Sequence, residues 1–272
     1  MKYHVFAIIA ILFYTSCNKE TANEPAPADA SVAKYLFDAV KEEVDLQLNQ
    51  QSNLNGFVDD IDGSRGGCAS VTVAPQGITF PKVVTIVFPE NCSTYAGALA
   101  EGTVTITING RVREAGTITT FSLRDFKYKS YIISGDYQVT FNGALSHTTV
   151  ITNGKVVTPE GKTITYAATN VAIQTDGSST TFKTNPTSFF QDDVYSVTTS
   201  ASGSNTNDNA FKINTSSPLT YKVACQWITS GIIEIVEESQ PKITATLDYG
   251  DDACDNKADL TFNGISKSIT LP

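Results

Sequence analysis

Histidine is almost missing from this chain, which has two histidines among its 272 residues, His4 and His147. Zinc sites usually draw on several His and Cys ligands, and a Ser-His-Asp triad needs a histidine base beside its nucleophile. No Gly-x-Ser-x-Gly elbow, phosphate-binding glycine loop or dinucleotide fingerprint is found either. The sequence therefore favours a non-catalytic protein, and it predicts that His147 is a solvated surface residue.

Positively charged residues are also scarce. The chain has 19 Lys and Arg residues against 28 Asp and Glu residues, which gives a net charge of −9. Proteins that bind nucleic acids need a basic patch to neutralise phosphates, so nucleic-acid partners are excluded. A hydrophobic fraction of 41% with 17% charged residues is typical of a globular chain. We expect the acidic surface to serve solubility.

Long apolar runs are absent apart from a single short one, Val5–Tyr14, which follows a basic start at Lys2. The run has about ten residues, whereas a membrane-spanning helix needs about 20. Its length and its basic flank are typical of the apolar core of a signal peptide. The run ends in Thr15-Ser16-Cys17 and the chain then turns polar.

Small residues before a cysteine at the end of such a run resemble a lipobox, the processing site of bacterial lipoproteins. Ser16 resembles the Bacteroidetes version of the motif, and Tyr14 stands where the motif usually has Leu. The resemblance implies that residues 1–16 are removed as a signal peptide. It also implies that Cys17 is lipidated and that palmitate is among its acyl chains. Two or three acyl chains form a lasting anchor, so we expect an outer-membrane lipoprotein that faces the periplasm or the cell surface.

Residues 17–30 are small, polar and rich in Pro and Ala, which predicts a flexible tether after the lipidated cysteine. Residues 31–52 carry a helical pattern, and Ser31 is placed to cap its start. The apolar positions recur every four residues, at Val32, Leu36, Val40, Val44 and Leu48. We expect this amphipathic helix to pack on a sheet and to belong to the same domain as residues 53–272.

From Cys68 onward the period changes to two, as in Thr103–Ile108, where threonines alternate with Val and Ile. Strict alternation predicts strands with one buried and one wet face, and therefore an antiparallel sheet. Asn-Gly, a strong hairpin signal, occurs at 109–110, 142–143, 153–154 and 263–264. The predicted fold is mainly β: a meander of hairpins in one large twisted or curved sheet, barrel-like or sandwich, with the helix packed on it. The polar residues 199–209 are predicted to be an exposed loop.

The remaining cysteines predict two disulfide bonds, because an exported protein lies in an oxidising compartment. A disulfide at the mouth of a hairpin is roughly symmetric about the turn. The midpoint of Cys68 and Cys92 falls at a turn next to Pro81, and the midpoint of Cys225 and Cys254 falls in another turn. The pairs 68–92 and 225–254 are therefore predicted.

An acidic segment near the C-terminus is a weaker candidate site for calcium, which prefers oxygen ligands. It carries four carboxylates, Asp248, Asp251, Asp252 and Asp255. Aspartates are also ordinary turn residues, and that interpretation is preferred, so no cofactor is predicted. The segments Cys225-Gln226-Trp227, Asp248-Tyr249-Gly250 and Cys254-Asp255-Asn256 resemble the closing block of uncharacterised Bacteroidetes lipoproteins, which implies the class and the location only.

The sequence is consistent with three functional hypotheses. The first is a membrane-anchored envelope lipoprotein with a non-catalytic binding or structural role, and an envelope protein or a glycan as partner. The solvent-facing sides of the predicted strands carry rows of threonines (threonine ladders), which could bind a glycan together with aromatic residues. Five tyrosines occur near them in sequence: Tyr128, Tyr131, Tyr137, Tyr195 and Tyr221. The second is a carrier that holds an apolar ligand in a curved-sheet cavity, and the third is a carbohydrate-active enzyme that uses a carboxylate pair.

Overall fold

The computed structural model describes residues 27–51, 54, 68–94, 97–143, 145–181, 185 and 190–271. Within these residues, one helix, α1 (Pro27–Asn49), precedes thirteen strands. The strands are β1 (Ser70–Ala74), β2 (Lys82–Ser93), β3 (Leu99–Ile108), β4 (Ile118–Tyr128), β5 (Tyr131–Gly143), β6 (Ser146–Val157), β7 (Thr163–Asp176), β8 (Val194–Ser204), β9 (Ala210–Lys222), β10 (Ile228–Glu237), β11 (Ile243–Asp251), β12 (Lys257–Phe262) and β13 (Ile265–Thr270).

All the strands form one antiparallel sheet, in which each strand pairs with its neighbours along the chain from β1 to β13. The predicted meander is confirmed, and the sheet is open, with β1 and β13 at its two edges. Side chains alternate between the faces, as in β3, where Val104, Ile106 and Ile108 are buried and the intervening threonines are exposed. One face is therefore apolar and must be covered.

The apolar face is covered by α1, which confirms the predicted helix. No residue from 28 to 49 is solvent-exposed, and even the polar Ser31, Lys34 and Glu43 are buried. A helix that lies on a flat surface keeps one side in water, so burial on all sides means that the sheet curves around α1. The helix begins at Pro27 rather than at residue 31, and the Ser31 hydroxyl donates a hydrogen bond to the Ala28 carbonyl inside the helix instead of capping it.

Phe37 is the residue through which α1 is seated in the sheet. Its ring stacks on Tyr166 with a centroid distance of 5.0 Å, and its carbonyl oxygen accepts a hydrogen bond of 2.9 Å from the Tyr137 hydroxyl. Gly135 and Gly154 lie directly beneath the ring, where a β-carbon at either position would press on Phe37. The absence of side chains at these two glycines lets the helix approach the strands closely.

Three of the four Asn-Gly pairs behave as predicted, because 109–110, 142–143 and 263–264 lie at the ends of hairpins. The fourth prediction is wrong: Asn153 and Gly154 lie inside β6, at a β-bulge where the pairing with both β5 and β7 shifts register. Asn153 has a φ of 54°, a left-handed conformation that Asn adopts more readily than most residues. The same local preference that makes a tight turn also makes a bulge.

Both predicted disulfide bonds are present, Cys68–Cys92 and Cys225–Cys254, with Cα–Cα distances of 5.3 and 5.8 Å. The first closes the β1–β2 hairpin and the second closes the β10–β11 hairpin, each at the open end. The prediction of a loop over residues 199–209 is wrong, since residues 199–204 belong to β8 and only 205–209 form the turn to β9.

Candidate ligand-binding cavity

A cavity of about 160 Å³ lies between α1 and the inner face of the sheet. Its walls come from one side of the helix and from inward-facing side chains of β4 to β11. An engineered protein cavity of about 150 Å³ is large enough to bind benzene. The space is therefore large enough for a small organic molecule.

An aromatic wall, made of Phe141, His147, Tyr195 and Tyr221, forms the sheet side of the cavity. Successive ring centroids are 5.6, 5.6 and 6.3 Å apart. Phe141 pairs with His147 across β5 and β6, and Tyr195 pairs with Tyr221 across β8 and β9. Between them β7 contributes only the small Ala172 opposite His147, so the two halves of the wall meet.

His147 is an inward-facing member of this wall, so the prediction of a solvated surface histidine is wrong. Burial, together with the charges of Lys41 and Arg113, lowers the pKa of its imidazole to about 3. A histidine with this pKa is uncharged at pH 7. It contributes a neutral ring and not a catalytic base that gains a proton near neutral pH.

The helix side of the cavity is polar. Lys34 pairs with Asp38 and Lys41 pairs with Asp45, one helical turn apart in each case, and all four residues line the cavity. The Lys34 side chain is 1% exposed. Because a buried charge is costly unless it is paired, these two ion pairs allow α1 to place charged residues inside the fold.

Glu42, next to Lys41 in sequence, also lines the cavity. Burial is the main reason why the pKa of its carboxyl group is raised to about 8; the nearby Tyr221 hydroxyl opposes this shift and the neighbouring Glu43 adds to it. Glu42 is therefore mostly protonated at pH 7. The same carboxyl group contributes to the pKa of Tyr35, which burial and Glu42 together raise to about 12.

Asn170 of β7 places an amide at the cavity, and its side chain is 7% exposed. Its Nδ2 donates a hydrogen bond of 3.3 Å to Asp38 Oδ1. Its Oδ1 is buried and accepts no hydrogen bond from any residue that the structure describes. Buried acceptors are nearly always satisfied in folded proteins, so this oxygen is free to accept a hydrogen bond from a bound molecule.

A hydrogen-bond network fixes Tyr195, which lies between His147 and Tyr221 in the aromatic wall. Arg113 forms an ion pair with the fully buried Asp193, which also accepts hydrogen bonds from Gln174 Nε2 at 2.6 Å and from the Tyr195 hydroxyl at 3.3 Å. Burial raises the pKa of Asp193, and the Arg113 charge opposes this change. The network holds the Tyr195 ring in place beside His147.

Comparisons with protein-family models, with curated proteins and with solved structures found no match. Within the described residues, no helix is long and apolar enough to cross a bilayer. Cys17 and its lipobox lie outside the described residues. The cavity is therefore the feature of the described fold that bears most directly on function.

The four candidate calcium ligands lie near the end of β11 and in the turn that follows it, and Asp248, Asp252 and Asp255 have protein partners. Asp252 pairs with Lys222 and accepts a hydrogen bond of 2.6 Å from the Thr229 hydroxyl. Asp248 and Asp255 each accept a hydrogen bond from a backbone N–H two residues later, as turn residues do. The described part of the chain holds no group of three or more His, Cys, Asp or Glu arranged for a metal ion.

The tyrosines proposed to join the threonine ladders lie on the opposite face of the sheet. Tyr128 and Tyr137 are buried in the core, Tyr131 packs against it, and Tyr195 and Tyr221 line the cavity. A threonine-and-aromatic glycan surface is therefore absent from these positions.

Side chains two residues apart in a strand lie on the same face of the sheet, so the alternation in the sequence is the signal that could have shown which face these side chains occupy. His147 has the same parity as the buried Thr149 and Ile151, and Tyr221 has the same parity as Leu219. The cavity itself has no such local signal, since it depends on where α1 lies.

Proposed function

We propose that this protein is a lipid-anchored binding protein of the bacterial outer envelope that holds a small molecule in the cavity beside α1. The observation that carries the proposal is a cavity of about 160 Å³ that combines an aromatic wall with a free buried acceptor on Asn170. Binding sites in proteins are commonly apolar pockets with a few well-placed polar groups. The lipobox-like sequence at Cys17 supports the membrane-anchored location.

The two alternatives receive less support from the arrangement of these residues. A carrier for a long apolar ligand needs an empty trough, and α1 fills most of this one. A glycosidase needs two carboxylates on either side of a cleft, whereas Asp38 and Asp45 each form an ion pair with a lysine on the same helix. A non-catalytic binding role fits these residues better.

The proposal can be tested on the chain from residue 18 onward, which contains every described element of the fold. Small aromatic and alicyclic compounds with six to nine non-hydrogen atoms would be screened by the shift they cause in the melting temperature. Any compound that binds should lose its effect in an Ala39→Leu variant, because Ala39 lines the cavity. Ala210→Leu, at an exposed position of β9, is the matched control.

Mass spectrometry of the gently purified protein adds a second readout, since a natural ligand should survive as a bound species. If no compound shifts the melting temperature and no ligand copurifies, the cavity is only a packing void and the proposal fails.

A further inference from the structure

We propose that the ligand of this cavity is a small organic ammonium ion, whose charged nitrogen pairs with Glu42 and whose carbon body lies against the aromatic wall. The inference rests on the proposed function, because it names the class of ligand for the same cavity. It stands on the charge pairing, the aromatic rings and the free acceptor that surround the space.

The charges around the cavity pair off and leave one acid without a cation. The helix α1 contributes three carboxylates and two lysines to the cavity, and the two lysines pair with Asp38 and Asp45. Arg113, on the sheet side of the cavity, pairs with Asp193. Among the described ion pairs, none includes Glu42. A ligand that brings a positive charge would complete the set, whereas an anionic ligand would have to break an existing pair.

Two tyrosines line the cavity together with Glu42, one on the helix and one on the sheet. Tyr35 lies two turns earlier on α1 and Tyr221 belongs to β9, and each lies close enough to Glu42 for the two groups to influence each other's pKa. The faces of aromatic rings attract cations, and aromatic cages are a common way to bind organic ammonium groups. A carboxylate close to aromatic rings is the arrangement that such a cation prefers.

Asn170 provides a second, independent polar contact. Its Oδ1 is buried and has no partner among the described residues, and its Nδ2 donates a hydrogen bond to Asp38, which lies one helical turn before Glu42. An ammonium N–H that points toward this oxygen would satisfy it. The ligand therefore has at least one N–H to donate, which favours a primary or secondary amine over a quaternary one.

The volume limits the size of the carbon body. A cavity of about 160 Å³ is close to the ~150 Å³ that holds benzene. Benzylammonium, a single ring with one aminomethyl group, is therefore a suitable probe. Benzyl alcohol has the same number of non-hydrogen atoms and no charge, and it serves as the neutral comparison.

Binding should also move a proton. The groups that face Glu42 are Tyr35, Lys41, Glu43 and Asp45 on α1, Tyr128 of β4 and Tyr221 of β9. With a pKa of about 8, Glu42 is mostly protonated at pH 7 and must ionise to pair with an ammonium group. Binding of benzylammonium at pH 7 should therefore release about one proton, and binding of benzyl alcohol should release none.

The experiment is isothermal titration calorimetry at pH 7, in two buffers that differ in ionisation enthalpy, on the chain from residue 18 onward. We expect benzylammonium to bind at least about tenfold more tightly than benzyl alcohol, with the proton release described above. In the Glu42→Gln variant this preference and the proton release should disappear, while benzyl alcohol still binds. Glu101→Gln, which removes a surface carboxylate from its pair with Lys127, should change neither.

The outcomes separate the two proposals. If benzyl alcohol binds as tightly as benzylammonium and no proton is released by the wild-type protein, the ammonium inference is overturned and the binding role stands. If neither probe binds, nor any compound of the melting-temperature screen, both are overturned. The proton release is measured on the wild-type protein, so it decides the question even if the Glu42 variant fails to fold.

Discussion

Glu42 and His147 face the same cavity and respond to burial in opposite ways. Burial raises the pKa of Glu42 to about 8 and lowers the pKa of His147 to about 3, because in each case it disfavours the charged form. Both side chains are therefore mainly uncharged at neutral pH. Each shift predicts its own dependence of stability on pH.

For Glu42 the folded state holds its proton more tightly than the unfolded state, whose carboxyl group has a pKa near 4.5. The free energy of unfolding should be unaffected by this group below about pH 4.5, fall between pH 4.5 and 8, and level off above pH 8. Glu42→Gln should remove this pH-dependent fall. The free energy of unfolding of the variant, relative to that of wild type, should therefore rise by on the order of 3–5 kcal/mol between pH 4.5 and 8. Urea unfolding at pH 4.5, 6, 8 and 9 measures it, and a constant difference between the two proteins would contradict it.

For His147 the sign is reversed, because the unfolded imidazole, with a pKa near 6.5, takes up a proton more readily than the folded one. Its contribution to stability should be complete above pH 6.5 and should decrease as the pH falls toward 3. His147→Phe keeps a ring beside Phe141 and Tyr195 and cannot titrate. In the His147→Phe variant, the fall in the free energy of unfolding between pH 6.5 and pH 3 should be smaller than in wild type by on the order of 3–5 kcal/mol. Urea unfolding measures this difference.

Between about pH 4.5 and 6.5 the two effects oppose each other, so their contributions to the wild-type pH dependence should cancel. The Glu42 and His147 variants should then show pH slopes of opposite sign in this interval relative to wild type. Parallel slopes for wild type and both variants would show that neither group is buried in the way described.

At the scale of the elements, the bulge in β6 packs closely against both the neighbouring strand β7 and the helix α1. An added β-carbon at Gly154 would collide with the Tyr166 carbonyl oxygen and lie 2.9 Å from the Phe37 ring. The Tyr166 carbonyl group is part of the backbone of β7, so it cannot move away as a flexible side chain could. Glycine is therefore needed at position 154 because of the limited space around it and not because of its φ angle.

Gly154→Ala should destabilise the protein by about 1–3 kcal/mol or more, because an overpacked core forces neighbours out of position. Thr152→Ala, an exposed position two residues earlier in β6, is the control and should change stability little. Urea unfolding of the three proteins gives the comparison. Equal stability of Gly154→Ala and wild type would mean that β7 and α1 do not pack against this bulge as closely as described.

Much of the element-level organisation could be predicted from the sequence. Alternation and Asn-Gly pairs predicted the antiparallel meander, and the four-residue repeat predicted α1, because these patterns reflect which side of a strand or helix is apolar. The symmetric spacing of Cys68, Cys92, Cys225 and Cys254 predicted both disulfides. Asn153-Gly154 was assigned to a turn because positive φ marks turns and bulges alike.

The enclosure of the helix could not be predicted, because an amphipathic pattern does not show how far a sheet curves. Several polar helix residues between the apolar positions, Glu42 among them, line a cavity that the amphipathic pattern does not predict. The site depends on contacts between residues far apart in sequence, such as Glu42 with Tyr221. No local pattern reports a pairing at that separation.

At the scale of the whole molecule, the helix and the inner face of the sheet share one core, which extends from Ala30 to Leu271. The predicted lipid anchor at Cys17 lies only ten residues before α1 in sequence. The proposed location can therefore be tested without disturbing the fold.

Replacing Cys17 by Ser in the full chain should abolish acylation and move the protein from the membrane fraction to the soluble fraction. Palmitate labelling, an intact mass and cell fractionation measure this. The double variant Cys68→Ser, Cys92→Ser is the matched control, since it removes two cysteines and should leave the anchor in place. Labelling of the Cys17 variant, or its retention in membranes, would rule out the lipoprotein prediction.

The position of α1 also has a mechanical consequence. Any tension between the predicted anchor and the domain enters the fold at Pro27 and is carried by a helix that the sheet encloses. At that end Asp29 accepts two hydrogen bonds from Thr206, at 2.9 and 2.7 Å, and Phe37 is seated against Gly154 two turns further on. A pulling force would therefore act on the centre of the core rather than on an edge strand, and the load would be shared by the helix and the strands that surround it.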